Sequence, residues 1–151
     1  MAFQPKKILV ATDFSATARA AADAAVDLAR AFGGELTLVH VVPLSTYVDF
    51  AGVNGGFTFD SAQFQQAVRR SSDQSLQEEL ARIRAAGVAA ESVTLDGPAA
   101  PEICDLAKRS GAELIVIGSH GQTGLARILL GSVAENVVRH AVVPVLTVRA
   151  T

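Results

Sequence analysis

The chain has 151 residues, half of them apolar, which favours one domain over residues 1–151 with a substantial core. A formal net charge of -2 gives no basic surface for nucleic acid, and no run is long and apolar enough to span a membrane. The single cysteine, Cys104, excludes an internal disulfide, and with no signal-peptide pattern at the start we expect a cytoplasmic protein.

The first strand and helix are marked by clear local signals. Residues 7–12 contain an apolar, β-branched run that is typical of a buried strand. Ser15 suits the N-cap of the alanine-rich segment that follows, and Gly33 with Gly34 suits its end. We therefore predict a strand, a turn at Asp13 and a long helix.

The same signals recur along the rest of the chain. They predict strands over 35–42, 91–95, 113–117 and 144–149, and helices over 61–86, 99–110 and 133–140. Pro101 is tolerated only in the first turn of a helix, so it fixes the start of the helix at about Ala99. Residues 44–60 carry several glycines and three aromatic residues, and we predict a loop or lid whose aromatic side chains pack back on the domain.

Strand and helix alternate five times, which predicts an open, mostly parallel five-stranded α/β sheet with helices on both faces. The sequence by itself does not give the strand order. If the first and fourth strands are neighbours, their outgoing loops diverge and form the crevice where such sheets bind ligands. That arrangement would bring Asp13 close to Gly118.

A second glycine-rich segment follows the fourth strand. Gly118 and Gly121 stand in the turn, and Gly131-Ser132 opens the next helix. Glycines let backbone N–H groups approach an anion, and a helix N-terminus supplies spare donors and partial positive charge. The segment is neither a phosphate loop, since no lysine follows Gly131, nor a Gly-x-Gly-x-x-Gly dinucleotide fingerprint.

The spacing Gly118-x2-Gly121-x9-Gly131-Ser132, with Asp13 upstream, resembles the ATP-binding branch of the universal stress protein family. The resemblance extends over 7–43 and from Ile117 to 146. It implies a Rossmann-like sheet with the order 3-2-1-4-5 and a site for ATP. Any Mg²⁺ or Mn²⁺ would be held through the phosphates, because the sequence has no dedicated ligand cluster.

The resemblance implies a set of nucleotide-binding residues: Ala11, Thr12, Asp13, Val41, Ile117, Gly118, His120, Gly121, Arg127, Gly131, Ser132 and Val133. Ala11 and Thr12 would leave room for a flat base, and the backbone of Val41 would face the adenine edge. Asp13 would accept hydrogen bonds from ribose hydroxyls or the adenine amino group, although an aspartate here also suits a turn.

Gly118, Gly121, Gly131 and Ser132 would hold the phosphates, between pocket walls formed by Ile117 and Val133. Three side chains, those of His120, Arg127 and His40, can each be interpreted in more than one way. His120 suits phosphate contact or a general base, with a plain surface or loop position as our default interpretation, and Arg127 suits phosphate or water. His40 is better interpreted as a satisfied, partly buried histidine than as a catalyst. We assign no catalytic residue.

The leading functional hypothesis is a small ATP-binding stress-response protein that senses nucleotide state. We expect slow ATP hydrolysis at most, because the sequence motifs contain no set of residues for phosphoryl transfer. The alternatives are an adenylating or phosphoryl-transfer enzyme and a nucleotide-independent dimeric interaction protein. The apolar strand 144–149 would lie at the sheet edge and favours a homodimer. The sequence does not identify the downstream protein partner or the physiological trigger.

Overall fold

The structure is a computed structural model and describes residues 2–43, 61–120 and 130–150. Five strands and four helices alternate over these ranges. The strands are β1 Lys7–Ala11, β2 Glu35–Val42, β3 Ala90–Asp96, β4 Leu114–Gly118 and β5 Val145–Val148. The helices are α1 Ala16–Phe32, α2 Ser61–Ala85, α3 Ala99–Ser110 and α4 Ser132–His140.

All neighbouring strands pair in parallel, in the order β3-β2-β1-β4-β5. The order implied by the family resemblance is therefore confirmed, as are the parallel α/β class and every predicted element. The ends of the elements differ from prediction by a residue or two at most. The predicted loop over 44–60 lies outside the described residues.

The sheet separates two hydrophobic cores. Ile8 and Val10 of β1 pack with α1 and α2 on one face, whereas Leu9 and Ala11 pack with α3 and α4 on the other. Both faces are covered, which explains why the central strands are uniformly apolar instead of alternating with polar residues. Helices thus lie on both faces, as predicted.

Local chemistry places both ends of α1. The Ser15 hydroxyl oxygen accepts a hydrogen bond from the Ala18 amide at 3.1 Å, as expected of an N-cap serine. Gly33 ends the helix in the left-handed conformation, with φ 64°, where glycine has no steric penalty. None of the helices in the described ranges is both long and apolar enough to cross a membrane.

Candidate functional site

The candidate site is the crevice above the carboxyl ends of β1 and β4. These strands are neighbours, with Ile8 opposite Leu114 and Val10 opposite Val116. β1 leads into α1 on one face of the sheet, and β4 leads towards α4 on the other. The two outgoing segments therefore diverge, and a cavity of about 520 Å³ lies between them, within the range typical of small-molecule sites.

The cavity gathers the predicted site residues that the structure describes. These are Ala11, Thr12, Asp13, Val41, Ile117, Gly118, His120, Gly131, Ser132 and Val133. Gly121 and Arg127 lie outside the described residues, so their predicted roles stay predictions. Segments from both ends of the chain thus converge on one cavity, as the strand order requires.

The exit of β1 is a tight polar turn. Thr12 Oγ1 accepts a hydrogen bond from the Phe14 amide, and Asp13 Oδ1 accepts one from the Ser15 amide, both at 3.0 Å. Phe14 has a φ of 66°, a left-handed conformation that is costly for a bulky side chain. The turn interpretation of Asp13 therefore holds, and the same residue also borders the cavity.

The end of β2 offers backbone groups to the crevice. The Val39 carbonyl accepts from the Thr12 amide on the β1 side, whereas the Val42 carbonyl accepts from the Gly97 amide on the β3 side. Backbone groups of successive strand residues point alternately to the two neighbours, so those of Val41 point to the β1 side. β1 ends at Ala11, before it reaches the level of Val41, so the backbone N–H and C=O of Val41 point past that end. There Val41 lines the cavity.

His40 is buried beside this turn, with 9% of its surface exposed. Its Nδ1 lies 2.8 Å from the Thr12 carbonyl oxygen, and its ring packs against the Phe14 ring with centroids 4.5 Å apart. This contact satisfies the Nδ1 side of His40, in line with the prediction of a histidine that is held by the fold. His40 is more deeply buried than predicted.

At the exit of β4, Gly118 is required by close packing. A Cβ atom on this residue would lie 2.9 Å from Thr17 Cγ2 and 3.0 Å from the Thr17 carbonyl carbon. Real Cβ atoms essentially never approach so closely, so only glycine allows the start of α1 to rest on the end of β4. This packing role is additional to the predicted phosphate contact.

Ser119 connects three elements and is 2% exposed. Its amide donates to the Val148 carbonyl at 2.8 Å, and its carbonyl accepts from the Gly131 amide at 2.5 Å. Its hydroxyl oxygen lies 2.9 Å from Nδ1 of His120. Ser119 therefore holds the end of β5 and the start of α4 against the exit of β4.

The start of α4 faces the cavity and has a glycine at its N-cap. Gly131 has φ -69° and ψ 164° and no side chain with which to accept a hydrogen bond from the first turn. The Glu135 amide donates to the Gly131 carbonyl at 2.9 Å, which begins the helical bonding. The amides of residues 132–134 precede that first helical bond, so the N-terminus is suited to an anion.

Few charged side chains line the described part of the cavity. Among the described residues that line it, Asp13 is the carboxylate and no lysine or arginine is present. No group of three or more histidine, cysteine, aspartate or glutamate side chains in these ranges is placed to hold a metal ion. An anion bound here would therefore be stabilised by amides and by the positive end of the α4 dipole.

The universal stress protein family model matches residues 5–149 of the chain. The chain belongs to the universal stress protein family. It is 35% identical over 144 residues to the universal stress protein MJ0531 of Methanocaldococcus jannaschii, covering 95% of this chain and 82% of that protein.

Solved structures of the family have the same fold. Protein MJ0577 of the same organism superposes with a TM-score of 0.85 at 28% identity, over 99% of both chains. The universal stress protein of Archaeoglobus fulgidus, solved in complex with dAMP, has a TM-score of 0.66 at 28% identity, over 98% of this chain and 99% of that one.

Sequence reasoning missed one side of this universal stress protein's cavity. Phe14 and the α2 residues Val68, Ser72 and Ser75 line it, although we assigned none of them to the site. The sequence contains no local signal for Phe14, whose position depends on a left-handed turn. In α2 the available signal is a break in its apolar face: Val68 and Leu76 recur at helical spacing, and Ser72 and Ser75 stand between them.

Proposed function

We propose that this universal stress protein binds an adenine nucleotide, first of all ATP, in the crevice between the exits of β1 and β4. Its role is that of a nucleotide-dependent regulator in a stress response. The observation that carries the proposal is the N-terminus of α4, which has a glycine at its N-cap and borders a cavity of about 520 Å³ where β1 and β4 diverge. Binding of dAMP by the Archaeoglobus fulgidus relative supports the choice of an adenine nucleotide.

The phosphates would lie against the start of α4. There Ser132 presents its amide and its hydroxyl, and the hydrogen bond from the Gly131 amide to the Ser119 carbonyl fixes the position of the helix start. Charge-assisted hydrogen bonds from amides to a phosphate are roughly twice as strong as neutral ones. Gly121 and Arg127 belong to the same proposed phosphate site on sequence grounds alone.

The nucleoside would lie across the ends of β1 and β2. Neighbouring strands are about 4.8 Å apart, so β4, β1 and β2 span about 10 Å. That distance suits a nucleotide with its phosphates at β4, its ribose near Asp13 and its base near Val41. The Asp13 carboxylate would accept hydrogen bonds from the ribose hydroxyls. The backbone of Val41 would form hydrogen bonds with the edge of the base.

The proposed role is binding rather than rapid turnover. The described lining residues supply amides, hydroxyls and the Ser119–His120 pair, without a cation at the phosphate end. Phosphoryl transfer requires concentrated positive charge and a positioned nucleophile. We therefore expect slow ATP hydrolysis at most, with any Mg²⁺ or Mn²⁺ held through the phosphates.

We further propose a homodimer formed through the last strand. β5 is the terminal strand of the described sheet, and Leu146 is 38% exposed and Val142, just before the strand, 69%. An apolar strand at the edge of a sheet is a ready pairing surface. A cytoplasmic location and a downstream protein partner remain predictions from the sequence and the family.

Calorimetry with ATP, ADP and AMP, combined with native mass spectrometry, tests the proposal. We expect one nucleotide per chain, two chains per particle and slow turnover with Mg²⁺. Absence of binding for all three nucleotides would overturn the proposal and favour a nucleotide-independent interaction protein. Rapid hydrolysis or transfer to an acceptor would instead establish a nucleotide-using enzyme.

A further inference from the structure

His40 has one ring nitrogen fixed by the protein. A backbone carbonyl can only accept a hydrogen bond, so Nδ1, which lies 2.8 Å from the Thr12 oxygen, must carry the hydrogen. In the neutral imidazole the other nitrogen, Nε2, then has the lone pair and is an acceptor. The tautomer follows from the contact with Thr12.

The second nitrogen, Nε2, has no hydrogen-bond partner among the contacts that His40 makes with the described residues. No buried side-chain nitrogen or oxygen in the described part of the chain lacks a hydrogen-bond partner, and the contact with Thr12 involves Nδ1 alone. Nε2 must therefore retain some accessible surface, although His40 as a whole is only 9% exposed. His40 lines the cavity, so we take the cavity as the side from which a ligand would reach this surface.

The ring is also held in place. The Phe14 ring packs against it at a centroid distance of 4.5 Å and an interplanar angle of 37°. Phe14 reaches this position through its left-handed backbone, which the hydrogen bond from its own amide to Thr12 Oγ1 supports. The acceptor on His40 is thus oriented before any ligand arrives, which favours selective recognition.

The position of His40 determines which part of a nucleotide it meets. With the phosphates at the start of α4, above β4, the base lies two strands away, above β2. His40 belongs to β2 and immediately precedes Val41, whose backbone points into the same crevice. At this end of the cavity, the acceptor Nε2 of His40 would be matched by an N–H donor on the base.

We infer that His40 is a specificity-determining residue whose Nε2 accepts a hydrogen bond from the exocyclic amine of the base. The inference rests on the proposed nucleotide function and deepens it. Adenine carries this amine at its 6-position, whereas hypoxanthine and guanine carry a carbonyl oxygen there. An oxygen facing Nε2 would place two acceptors together, so the site would select adenine over the 6-oxo purines.

Two substitutions of His40 distinguish the role of Nδ1 from the role of Nε2. In His40→Asn the side-chain amide takes the place of Nδ1, so it keeps the donor to the Thr12 carbonyl and removes the acceptor. In His40→Gln the longer side chain places an amide oxygen near the position of Nε2, so the acceptor is restored. Calorimetry with ATP, ITP and dATP is carried out on both variants and on the wild type.

We expect the wild type to bind ATP at least about tenfold more tightly than ITP, the effect of one mismatched hydrogen bond. His40→Asn is expected to lower this ratio, because only the Val41 backbone contact would remain to distinguish the bases, and His40→Gln to keep most of it. The ratio is the informative quantity, because a purely structural role of His40 would weaken ATP and ITP binding equally. An unchanged ratio in His40→Asn would overturn the inference.

The remaining outcomes are equally decisive. If His40→Asn changes the ratio of ATP to dATP binding instead, His40 contacts the ribose, and the assignment to the base is wrong. If the wild type binds ATP and ITP equally, the inference fails but the proposed function stands. If no nucleotide binds, both fail together.

A measurement on the wild type does not depend on the folding of any variant. The ¹⁵N resonance of His40 Nε2, assigned with substitutions at His120 and His140, is expected to shift when ATP is added and to stay in place with ITP. Such a selective shift reports a new hydrogen bond at this nitrogen. Equal shifts with ATP and ITP would contradict the inference.

Discussion

Two helices begin at the same crevice, and their first turns are satisfied in different ways. The start of α1 is closed by side chains of its own turn: Ser15 accepts from the Ala18 amide, and Asp13 accepts from the Ser15 amide. The start of α4 has a glycine at the N-cap, which has no side chain that could accept from the first turn. The difference assigns the two starts to different tasks.

A helix N-terminus that is partly satisfied by a capping side chain, as Ser15 satisfies the Ala18 amide, keeps fewer donors for a ligand. One without such a cap leaves its donors for an anion, and the α4 start is held in place by Ser119 instead. In this molecule α1 therefore shapes the crevice, and α4 provides the proposed binding contacts. The following predictions test that division, from the largest effect to the smallest.

The contact between Gly118 and Thr17 fixes the start of α1 above the sheet. In Gly118→Ala the new Cβ would lie 2.9 Å from Thr17 Cγ2, so helix and strand must separate. We expect the free energy of unfolding to fall by about 1–3 kcal/mol, the usual cost of overpacking, and nucleotide affinity to fall with it. Denaturant unfolding and calorimetry measure the two quantities.

Gly87→Ala provides a control, because a Cβ there meets no atom within 4 Å, although its φ of 87° carries a backbone penalty. This variant should lose stability without losing affinity for nucleotide. Equal losses of affinity in both variants would show that general destabilisation, and not the position of α1, controls the site.

Ser132→Pro tests the α4 amide directly. Proline is well tolerated at the first helical position, and Gly131, with φ -69° and ψ 164°, already has the extended conformation that a residue before proline requires. The variant removes both the amide hydrogen and the hydroxyl, whereas Ser132→Ala removes the hydroxyl alone. A lost hydrogen bond to a charged phosphate corresponds to about 1.5–3 kcal/mol, or at least about tenfold in Kd.

We expect both Ser132 variants to unfold at nearly the same denaturant concentration as the wild type. The proline variant should bind ATP at least about tenfold more weakly than the alanine variant, by calorimetry. Indistinguishable affinities would show that the Ser132 amide makes no contact with the phosphates.

Ser15→Ala examines the other helix start. Removal of an N-cap hydroxyl usually costs about 1 kcal/mol of stability, so the midpoint of denaturant unfolding should fall. The affinity for ATP, measured on the folded protein, should change by less than about twofold. A large loss of affinity would mean that the cap of α1 also serves the ligand, and the proposed division would be wrong.

Glu113 offers a comparison at the opposite end of the sheet. Its carboxylate accepts from the Lys6 and Lys7 amides at 2.5 and 3.2 Å, and these hydrogen bonds lower the pKa of Glu113 below its usual value. A lowered pKa in the folded state stabilises the protein above the ordinary carboxyl range, and the stabilisation is lost as the pH falls through the folded-state pKa.

Glu113→Gln should therefore be slightly less stable than the wild type at neutral pH, and the difference should vanish in acid. Nucleotide affinity at neutral pH should be the same for both proteins. Thermal unfolding across a pH series measures the first expectation, and a difference that persists unchanged in acid would contradict it.

Local signals predicted the elements of this fold because each element depends on residues close in sequence. The predicted ends of β2 and α3 agree with the structure at every residue. Pro43 ends β2, and α3 lies between the start set by Pro101 and the end set by Gly111. The strand order depends on long-range pairing and came from the family resemblance. The close contact of Gly118, the turn at Phe14 and the orientation of His40 depend on tertiary packing, which no local pattern contains.

The β1–β4 pairing has a consequence for how the protein acquires its site. Thr12 and Gly118 come together only when the first and fourth strands have joined, so no fragment of the chain holds the complete crevice. Occupancy then reports the integrity of the whole domain: a ligand at a hundred times its Kd would add about 2.7 kcal/mol to global stability. Under the proposed function, persistence of the folded chain would therefore follow the supply of the nucleotide.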